Sequence, residues 1–239
     1  MRVLSFSETG AIRKKNEDRL LALPEYGLFA VADGMGGERA GEVAAQMALD
    51  YLNDRAGQLA AISEEKIEAW FVETFNAANQ EILALARQDA NKEGMGTTLT
   101  ALLIREKMAV VAHVGDSRAY IWRKKQLLLL TEDHSLVGEL LRLGEITEEE
   151  ADVHPRKHIL VRAIGVEQGV KVDTRRFDVQ EKDAFLLCTD GVSNSLSHAE
   201  LAEKLDSFEP KEEFMERLKD VIWERGAKDN FTALFCKME

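Results

Sequence analysis

Five aspartates stand where an apolar stretch of the sequence meets a polar turn: Asp18, Asp33, Asp116, Asp190 and Asp229. A single aspartate at such a place most often caps a turn, because Asp-Gly is a common turn signal. The set permits a second interpretation, since strand ends in a sheet can bring distant residues together at one edge. Two carboxylates about 4 Å apart repel by about 4 kcal/mol at an effective dielectric of about 20, so a converging set requires a cation.

The type of cation follows from the ligand atoms. Oxygen ligands without His or Cys partners select hard divalent ions, namely Mg²⁺, Mn²⁺ or Ca²⁺. The five aspartates are spread from position 18 to position 229, unlike a calcium loop, which holds its ligands within about twelve residues. The sequence therefore predicts a metal centre assembled from remote parts of the chain.

Composition narrows the class of protein. The chain has 239 residues and a net charge of -12, which suits one large or two small domains and argues against a basic face for nucleic acid. Its apolar runs are far shorter than the roughly 20 residues that span a bilayer, and its first residues lack the apolar core of a signal peptide. Cys188 and Cys236 lie in apolar segments, which favours buried free thiols in a reducing cytoplasm.

Hydrophobic periodicity and turn signals predict the elements that must position these residues. Strands are predicted within 1–33 and at 97–104, 108–114, 120–123, 126–130, 170–172, 184–188 and 231–236. Helices are predicted at 39–55 and 64–90, from 135, from 147, from 197 and at 210–225. Ser63 is a candidate N-cap, while Thr147 and Ser197 each have a glutamate three residues later, as in a capping box. This order favours antiparallel sheets with helices segregated on their outer faces.

Several short runs carry a resemblance to a known family. They are RKKNED at 13–18, ADGMGG at 32–37, GE at 41–42, GMGTT at 94–98, HVGDSRAY at 113–120, TEDHS at 131–135, TDG at 189–191 and KDN at 228–230. In this order the chain resembles the metal-dependent Ser/Thr protein phosphatases, the PPM or type 2C family, and most closely its compact bacterial members. The resemblance implies an α+β fold of two stacked antiparallel β-sheets flanked by α-helix pairs. It also implies one catalytic domain over 1–239, with a small flap subdomain at about 134–165.

The resemblance also implies roles at the site. The metal-binding positions would be Asp18, Asp33, Gly34 through its carbonyl, Asp116, Asp190 and Asp229, with Glu17 bound directly or through water. Asp33 would bridge two Mn²⁺ or Mg²⁺ ions, and Asp116 would help to hold a weaker third ion. Arg13, five residues before Asp18, would hold the substrate phosphate with its planar fork of donors. Without the resemblance, a solvated surface arginine beside Lys14 and Lys15 is an equal alternative.

The proton donor for the leaving group is the position at which the sequence departs from its relatives. Many relatives have a histidine directly after the Asp-Gly or after the Asp-Gly-Met-Gly-Gly run, where this chain has Met35 and Glu38. Glu38 with a raised pKa, or a metal-bound water, are the alternatives, and the water is preferred.

The predicted activity is hydrolysis of phosphoserine and phosphothreonine by a water that two metal ions activate, without a phosphoenzyme intermediate. Phosphorylated proteins are the expected partners, together with an opposing Ser/Thr kinase in the cytoplasm, and neither nucleic acid nor a membrane is expected. A different class remains as the alternative, namely a catalytically weak relative that acts as a phosphoprotein-binding or regulatory module. A small-molecule phosphatase would differ only in its substrate.

Overall fold

The computed structural model describes residues 1–36, 40–207 and 211–238, with the side chains of 152, 211 and 212 left aside. Its strands are β1 (Arg2–Glu8), β2 (Asp18–Leu23), β3 (Leu28–Met35), β4 (Gly96–Thr97), β5 (Leu99–Arg105), β6 (Met108–Val114), β7 (Arg118–Arg123), β8 (Gln126–Leu129), β9 (Asp173–Asp178), β10 (Ala184–Cys188) and β11 (Phe231–Lys237). Its helices are α1 (Gly41–Arg55), α2 (Ile67–Gln88), α3 (Leu136–Leu143), α4 (Glu148–Asp152), α5 (Asp190–Ser193), α6 (His198–Ser207) and α7 (Lys211–Glu224). Short 3-10 turns cover Ala56–Ala60, Glu64–Lys66 and Ala90–Lys92.

The strands form two sheets. The first sheet has the order β1-β11-β10-β7-β8, and the second has the order β2-β3-β5-β6-β9, with β4 paired to the end of β3. Within the described residues, the paired strands of both sheets run antiparallel. Hairpin connections can therefore return the chain repeatedly to the same edge of each sheet.

Alternation along β3 shows how the layers are built. Phe29 and Val31 join the buried cluster between the two sheets, which also contains Phe185, Leu187 and Leu234. The neighbouring positions Leu28, Ala30 and Ala32 instead join the cluster beneath α1 and α2. A strand that is apolar on both faces is expected where one face meets a sheet and the other meets helices.

The outer layers complete the sandwich. Helices α1 and α2 pack on the second sheet with Leu52, Phe71 and Phe75 in the shared cluster. Helices α6 and α7 cover the first sheet, and Leu201 and Phe214 belong to the buried cluster that these helices share with it. The prediction of two stacked antiparallel sheets between helix pairs is confirmed.

Two local predictions need correction. The strand expected at 170–172 begins instead at Asp173, because Asn76 of α2 binds the Val170 backbone at both its N–H and its carbonyl oxygen. The helix expected from 64 opens with a 3-10 turn and becomes α-helical at Ile67, and Ser63 makes no side-chain capping bond to that turn.

The segment 134–165 carries α3 and α4 beside the sheets. Ser135 caps α3 by accepting a hydrogen bond from the Gly138 N–H, and Thr147 with Glu150 forms the expected capping box of α4. Isolated bridges tie the segment at Ser135–Leu160 and to β4 at Thr97–Ile164. None of the helices within the described residues combines the length and the hydropathy that a transmembrane segment requires.

Candidate metal centre

Strand ends from both sheets meet at one edge and carry the five aspartates. Asp18 opens β2 and is the register partner of Asp33 near the end of β3. Asp116 follows β6, Asp190 follows β10, and Asp229 precedes β11. The antiparallel order explains the convergence, because the start of one strand lies beside the end of its neighbour.

Within the second sheet, Thr98 joins the backbone of Asp33 to the turn of Asp116. The Asp33 N–H donates to Thr98 Oγ1 at 2.9 Å, and the Thr98 N–H donates to the Asp33 carbonyl oxygen at the same distance. Thr98 Oγ1 also lies 2.7 Å from Ser117 Oγ, and both residues are buried. Gly115 packs so closely on Thr98 that an added Cβ would lie 2.5 Å from the threonine side chain. Thr98 therefore contacts both chain neighbours of Asp116, namely Gly115 and Ser117.

The carboxyl groups of the cluster interact electrostatically with one another. Burial raises the pKa of Asp33 well above its ordinary value, and the charges of Asp18, Asp190, Asp116 and Asp229 raise it further, in that order. Burial is also the main cause that raises the pKa of Asp18 to about 7 and that of Asp116 to about 8, with Asp190 as a neighbouring charge in both cases. Without a counter-ion the site therefore favours protonated carboxyl groups.

One atom of the cluster indicates that the residues fit a cation. Asp18 is 1% exposed, and its Oδ1 is buried with no hydrogen-bond partner among the described residues. A buried carboxylate oxygen without a partner is costly unless it is neutralised or coordinates a metal. The surrounding carboxylates offer only oxygen, which suits Mg²⁺ or Mn²⁺.

The carboxylates are neighbours but do not form a closed shell. In the part of the chain that the structure describes, no three Asp, Glu, His or Cys side chains already stand together as the ligands of one ion. Closing them around a point means overcoming the repulsion between like charges, which a divalent cation does.

Arg13 lies at the margin of this cluster. Its side chain is 52% exposed, and its Nη2 donates to Asp229 Oδ2 at 2.7 Å. That hydrogen bond, followed by the nearby charges of Asp229, Asp190 and Asp33, raises the pKa of the guanidinium. A cation with a largely free face beside the carboxylates is suited to an anionic ligand bound at the same place.

Gly34, which follows Asp33 in β3, lies next to Glu17, which precedes Asp18. The Gly34 N–H donates to the Glu17 carbonyl oxygen at 3.3 Å. Only glycine fits at position 34, because an added Cβ would lie 2.2 Å from the backbone oxygen of Gly41. Burial and the charge of Glu42 raise the pKa of Glu17. Met35 ends β3, while Glu38 lies outside the described residues.

Three polar side chains at the site received no role in the sequence analysis. Asn230 pins the loop that carries Arg13, since it donates to the backbone oxygens of Thr9 and Lys15 and accepts from the Glu17 N–H. His158 Nδ1, from segment 134–165, lies 4.0 Å from Asp190 Oδ2. The third, Thr189, donates to Asp18. Asn230 stands in the run KDN at 228–230, the signal that could have pointed to it.

Comparison with known proteins gives consistent matches over nearly the whole chain. A family model described as protein phosphatase 2C matches residues 13–234. The serine/threonine phosphatase stp of Listeria innocua is 42% identical over 235 residues, covering 97% of this chain and 93% of that protein. The protein phosphatase PhpP of Streptococcus pneumoniae is 33% identical and covers 100% of this chain and 98% of its own length.

Solved structures agree with the same grouping. The crystal structure of a bacterial serine phosphatase has a TM-score of 0.93 at 33% identity, covering 100% of this chain and 98% of that one. The catalytic domain of the serine/threonine protein phosphatase PstP, crystallised with two manganese ions, has a TM-score of 0.87 at 32% identity, with coverage of 100% and 98%.

Proposed function

Because the chain belongs to the protein phosphatase 2C family, as its sequence motifs led us to expect, we propose that it removes phosphate from phosphoserine and phosphothreonine in phosphorylated proteins. The observation that carries the proposal is the meeting of five aspartates from two sheets with Arg13 at their margin. Mn²⁺ or Mg²⁺ is the proposed cofactor, with two central ions and a weaker third.

The family resemblance implies a task for each residue of the cluster, and we propose those tasks here. Asp33 stands among the other four aspartates electrostatically, so it is the side chain best placed to be shared by two ions. Asp190 and Asp229 would hold the first ion. Asp18, the Gly34 carbonyl and Glu17 would hold the second, and Asp116 with Asp190 would hold the third. When bound, divalent ions supply positive charge to the phosphoryl oxygens and make water acidic enough to act at neutral pH.

Arg13 is proposed to hold the substrate phosphate. Its guanidinium is more than half exposed and already binds one carboxylate oxygen at the site, so a phosphoryl group can take that place with two parallel hydrogen bonds. This contact would turn the phosphoester toward the cluster and fix its orientation for in-line attack by water.

Direct attack by water leaves no phosphoenzyme. The cysteine closest to the site in sequence, Cys188, is buried, and burial raises the pKa of its thiol to about 12. A buried neutral thiol is a poor nucleophile. For the leaving oxygen we propose water held at the site as the proton donor, with Glu38 as the competing candidate.

The partner reaction is the one that makes the substrate. A phosphoserine or phosphothreonine is supplied by a Ser/Thr kinase, so we propose an opposing kinase in the same compartment. Two buried free thiols, Cys188 and Cys236, support a reducing cytoplasm. We further propose one catalytic domain over 1–239, with 134–165 as its flap.

Phosphopeptide turnover tests the proposal. We expect release of phosphate from a phosphothreonine peptide with Mn²⁺ and none after chelation, with much slower turnover of nucleotides and sugar phosphates. Faster turnover of nucleotides and sugar phosphates than of the phosphopeptide would indicate a small-molecule phosphatase instead. Calorimetric binding of the phosphopeptide without turnover at saturating Mn²⁺ would favour the regulatory module instead.

A further inference from the structure

A closed ring of hydrogen bonds lies behind Asp18 and joins the two sheets. Thr189, which directly follows β10, donates from Oγ1 to Asp18 Oδ2 at 2.8 Å. The Thr232 N–H donates to Thr189 Oγ1 at 3.0 Å, and Thr232 Oγ1 donates to Ser7 Oγ at 2.8 Å. Asn16 Nδ2 donates to the same Ser7 oxygen, and the Asp18 N–H donates to Asn16 Oδ1, which closes the ring. Within this ring Thr189 binds the side chain of Asp18, and Asn16 binds its backbone N–H.

The direction of the Thr189 hydroxyl proton follows from its neighbours. Its oxygen already accepts the Thr232 N–H, so the hydroxyl hydrogen must be donated elsewhere. The nearest acceptor is Asp18 Oδ2, while the Thr232 carbonyl oxygen is at 3.5 Å and already accepts the Thr189 N–H. Thr189 and Thr232 are 0% exposed, so water does not compete for this proton.

The two oxygens of Asp18 consequently differ. Oδ2 is occupied by Thr189, whereas Oδ1 is buried without a partner among the described residues. A hydrogen bond to one oxygen of a carboxylate fixes the rotamer and leaves the other oxygen aimed in one direction. A ligand whose rotation is already restricted loses less entropy when it binds an ion.

We propose that Thr189 is a positioning residue that presents Oδ1 of Asp18 to a divalent cation. The hydroxyl belongs to the sheet that carries Asp190 and Asp229, and the carboxylate belongs to the sheet that carries Asp33. Thr189 therefore also sets how the ligands of one sheet stand relative to those of the other. This inference rests on the proposed function, because it assumes that Asp18 takes part in metal binding.

The experiment measures Mn²⁺ binding without substrate, by calorimetry and by electron paramagnetic resonance. Thr189→Val keeps the shape of the side chain and removes the hydroxyl, and the Mn²⁺ dissociation constant should rise about 10-fold or more, as for loss of a hydrogen bond to a charged group. Thr189→Ser keeps the hydroxyl and should bind Mn²⁺ within about 2-fold of the wild type, a difference smaller than one hydrogen bond. At saturating Mn²⁺, KM for a phosphopeptide should match the wild type, because Arg13 is untouched.

Two further variants separate positioning from general loss of stability. Ser7→Ala opens the ring on its far side but leaves the Thr189–Asp18 bond, and Thr74→Val alters a buried threonine of α2 that has no partner among the described residues. Both should retain the wild-type Mn²⁺ affinity. If Thr189→Val does not fold, Thr189→Cys, which offers only a weak donor, is expected to change the affinity in the same direction.

The outcomes are distinguishable. Wild-type affinity in Thr189→Val, or an equal loss in Ser7→Ala, overturns the positioning role while the proposed phosphatase function stands. A wild-type protein that binds no Mn²⁺ overturns the proposed function and this inference together. Weakened binding confined to the Thr189 variants without a hydroxyl supports the proposal.

Discussion

Asp18 and Asp33 are cross-strand partners, each opposite the other in the register of β2 and β3. Like charges directly opposite in an antiparallel pair are destabilising, and both carboxyl groups have pKa values raised chiefly by burial. The remainder of the sheet, with Leu28, Phe29 and Val31 fully buried, offsets that cost. A pairing that opposes folding is best understood as one that serves binding, because a cation placed between the two carboxylates converts repulsion into attraction.

The first prediction concerns Asp33 itself. Asp33→Asn should reduce phosphopeptide turnover by at least about 1,000-fold, since removing a ligand shared by two ions disrupts the source of charge stabilisation. The matched control is Asp50→Asn, which changes an exposed aspartate on α1 that pairs with Gln46. Steady-state kinetics checks both. Near-normal turnover in Asp33→Asn would contradict the central place given to this residue.

The second prediction concerns Arg13. Arg13→Ala should lower kcat/KM for a phosphothreonine peptide by about 10- to 100-fold, the range expected for loss of charge-assisted hydrogen bonds to phosphate. Arg13→Lys should recover only part of this, because an ammonium cannot match two phosphate oxygens with one planar fork. Lys14→Ala is the neighbouring control and should leave kcat/KM unchanged. An equal loss in the two alanine variants would point to general electrostatic attraction rather than a specific contact.

The third prediction is a pH dependence of the metal-free protein. Folding raises the pKa of Asp18 from 3.8 to about 7 and that of Asp116 from 3.8 to about 8. Their stabilising effect is therefore fully present below pH 3.8 and is lost as pH rises through 7 to 8. In chelator, carboxyl titration alone should lower the free energy of unfolding steadily as the pH rises from 4 to 8.

Denaturant unfolding at several pH values measures this effect. Asp18→Asn should flatten the profile and make the metal-free protein more stable than the wild type at pH 8. Saturating Mn²⁺ should make the wild type the more stable of the two proteins, because a ligand at about 100 times its dissociation constant adds about 2.7 kcal/mol to the free energy of unfolding of the wild type. A metal-free protein that gains stability over the same pH range would oppose this picture of the cluster.

The fourth prediction uses two buried threonines. Thr74 Oγ1 is buried without a partner among the described residues, whereas Thr100 Oγ1 binds His113 Nδ1 at 2.8 Å and the Ser117 carbonyl oxygen at 3.1 Å. Thr74→Val should therefore stabilise the protein by about 1 kcal/mol, and Thr100→Val should destabilise it by about 1–3 kcal/mol. Thermal unfolding in chelator compares them, and changes of the same sign would refute the assignment of partners.

The sequence was informative wherever one physical signal decided the outcome. The continuous apolar run 28–32 is typical of a strand buried on both faces, and β3, which begins within the region 1–33 where strands are predicted, is such a strand. The Thr147–Glu150 spacing predicted a capping box, and both of its hydrogen bonds are present. The aspartates could be selected because each ends or begins an apolar strand, although only the sheet order shows that these ends share an edge.

Other features depended on tertiary contacts that no local pattern records. The run 170–172 has the composition of a strand, but its backbone is bound by Asn76, a residue 94 positions away from Val170. Thr189 is an ordinary β-forming residue in sequence, and its role emerges only when the end of β10 meets the start of β2 across the two sheets. The site roles, including that of Glu38, stay predictions.

A crystal structure grown with Mn²⁺, with anomalous scattering recorded to locate the ions, shows directly whether the five aspartates bind a pair of metal ions. We predict two strong peaks about 3.5–4 Å apart, with Asp33 between them and Asp190 and Asp229 on one side. A map with no peak among these three carboxylates, in a crystal soaked with Mn²⁺ well above its dissociation constant, would contradict the account.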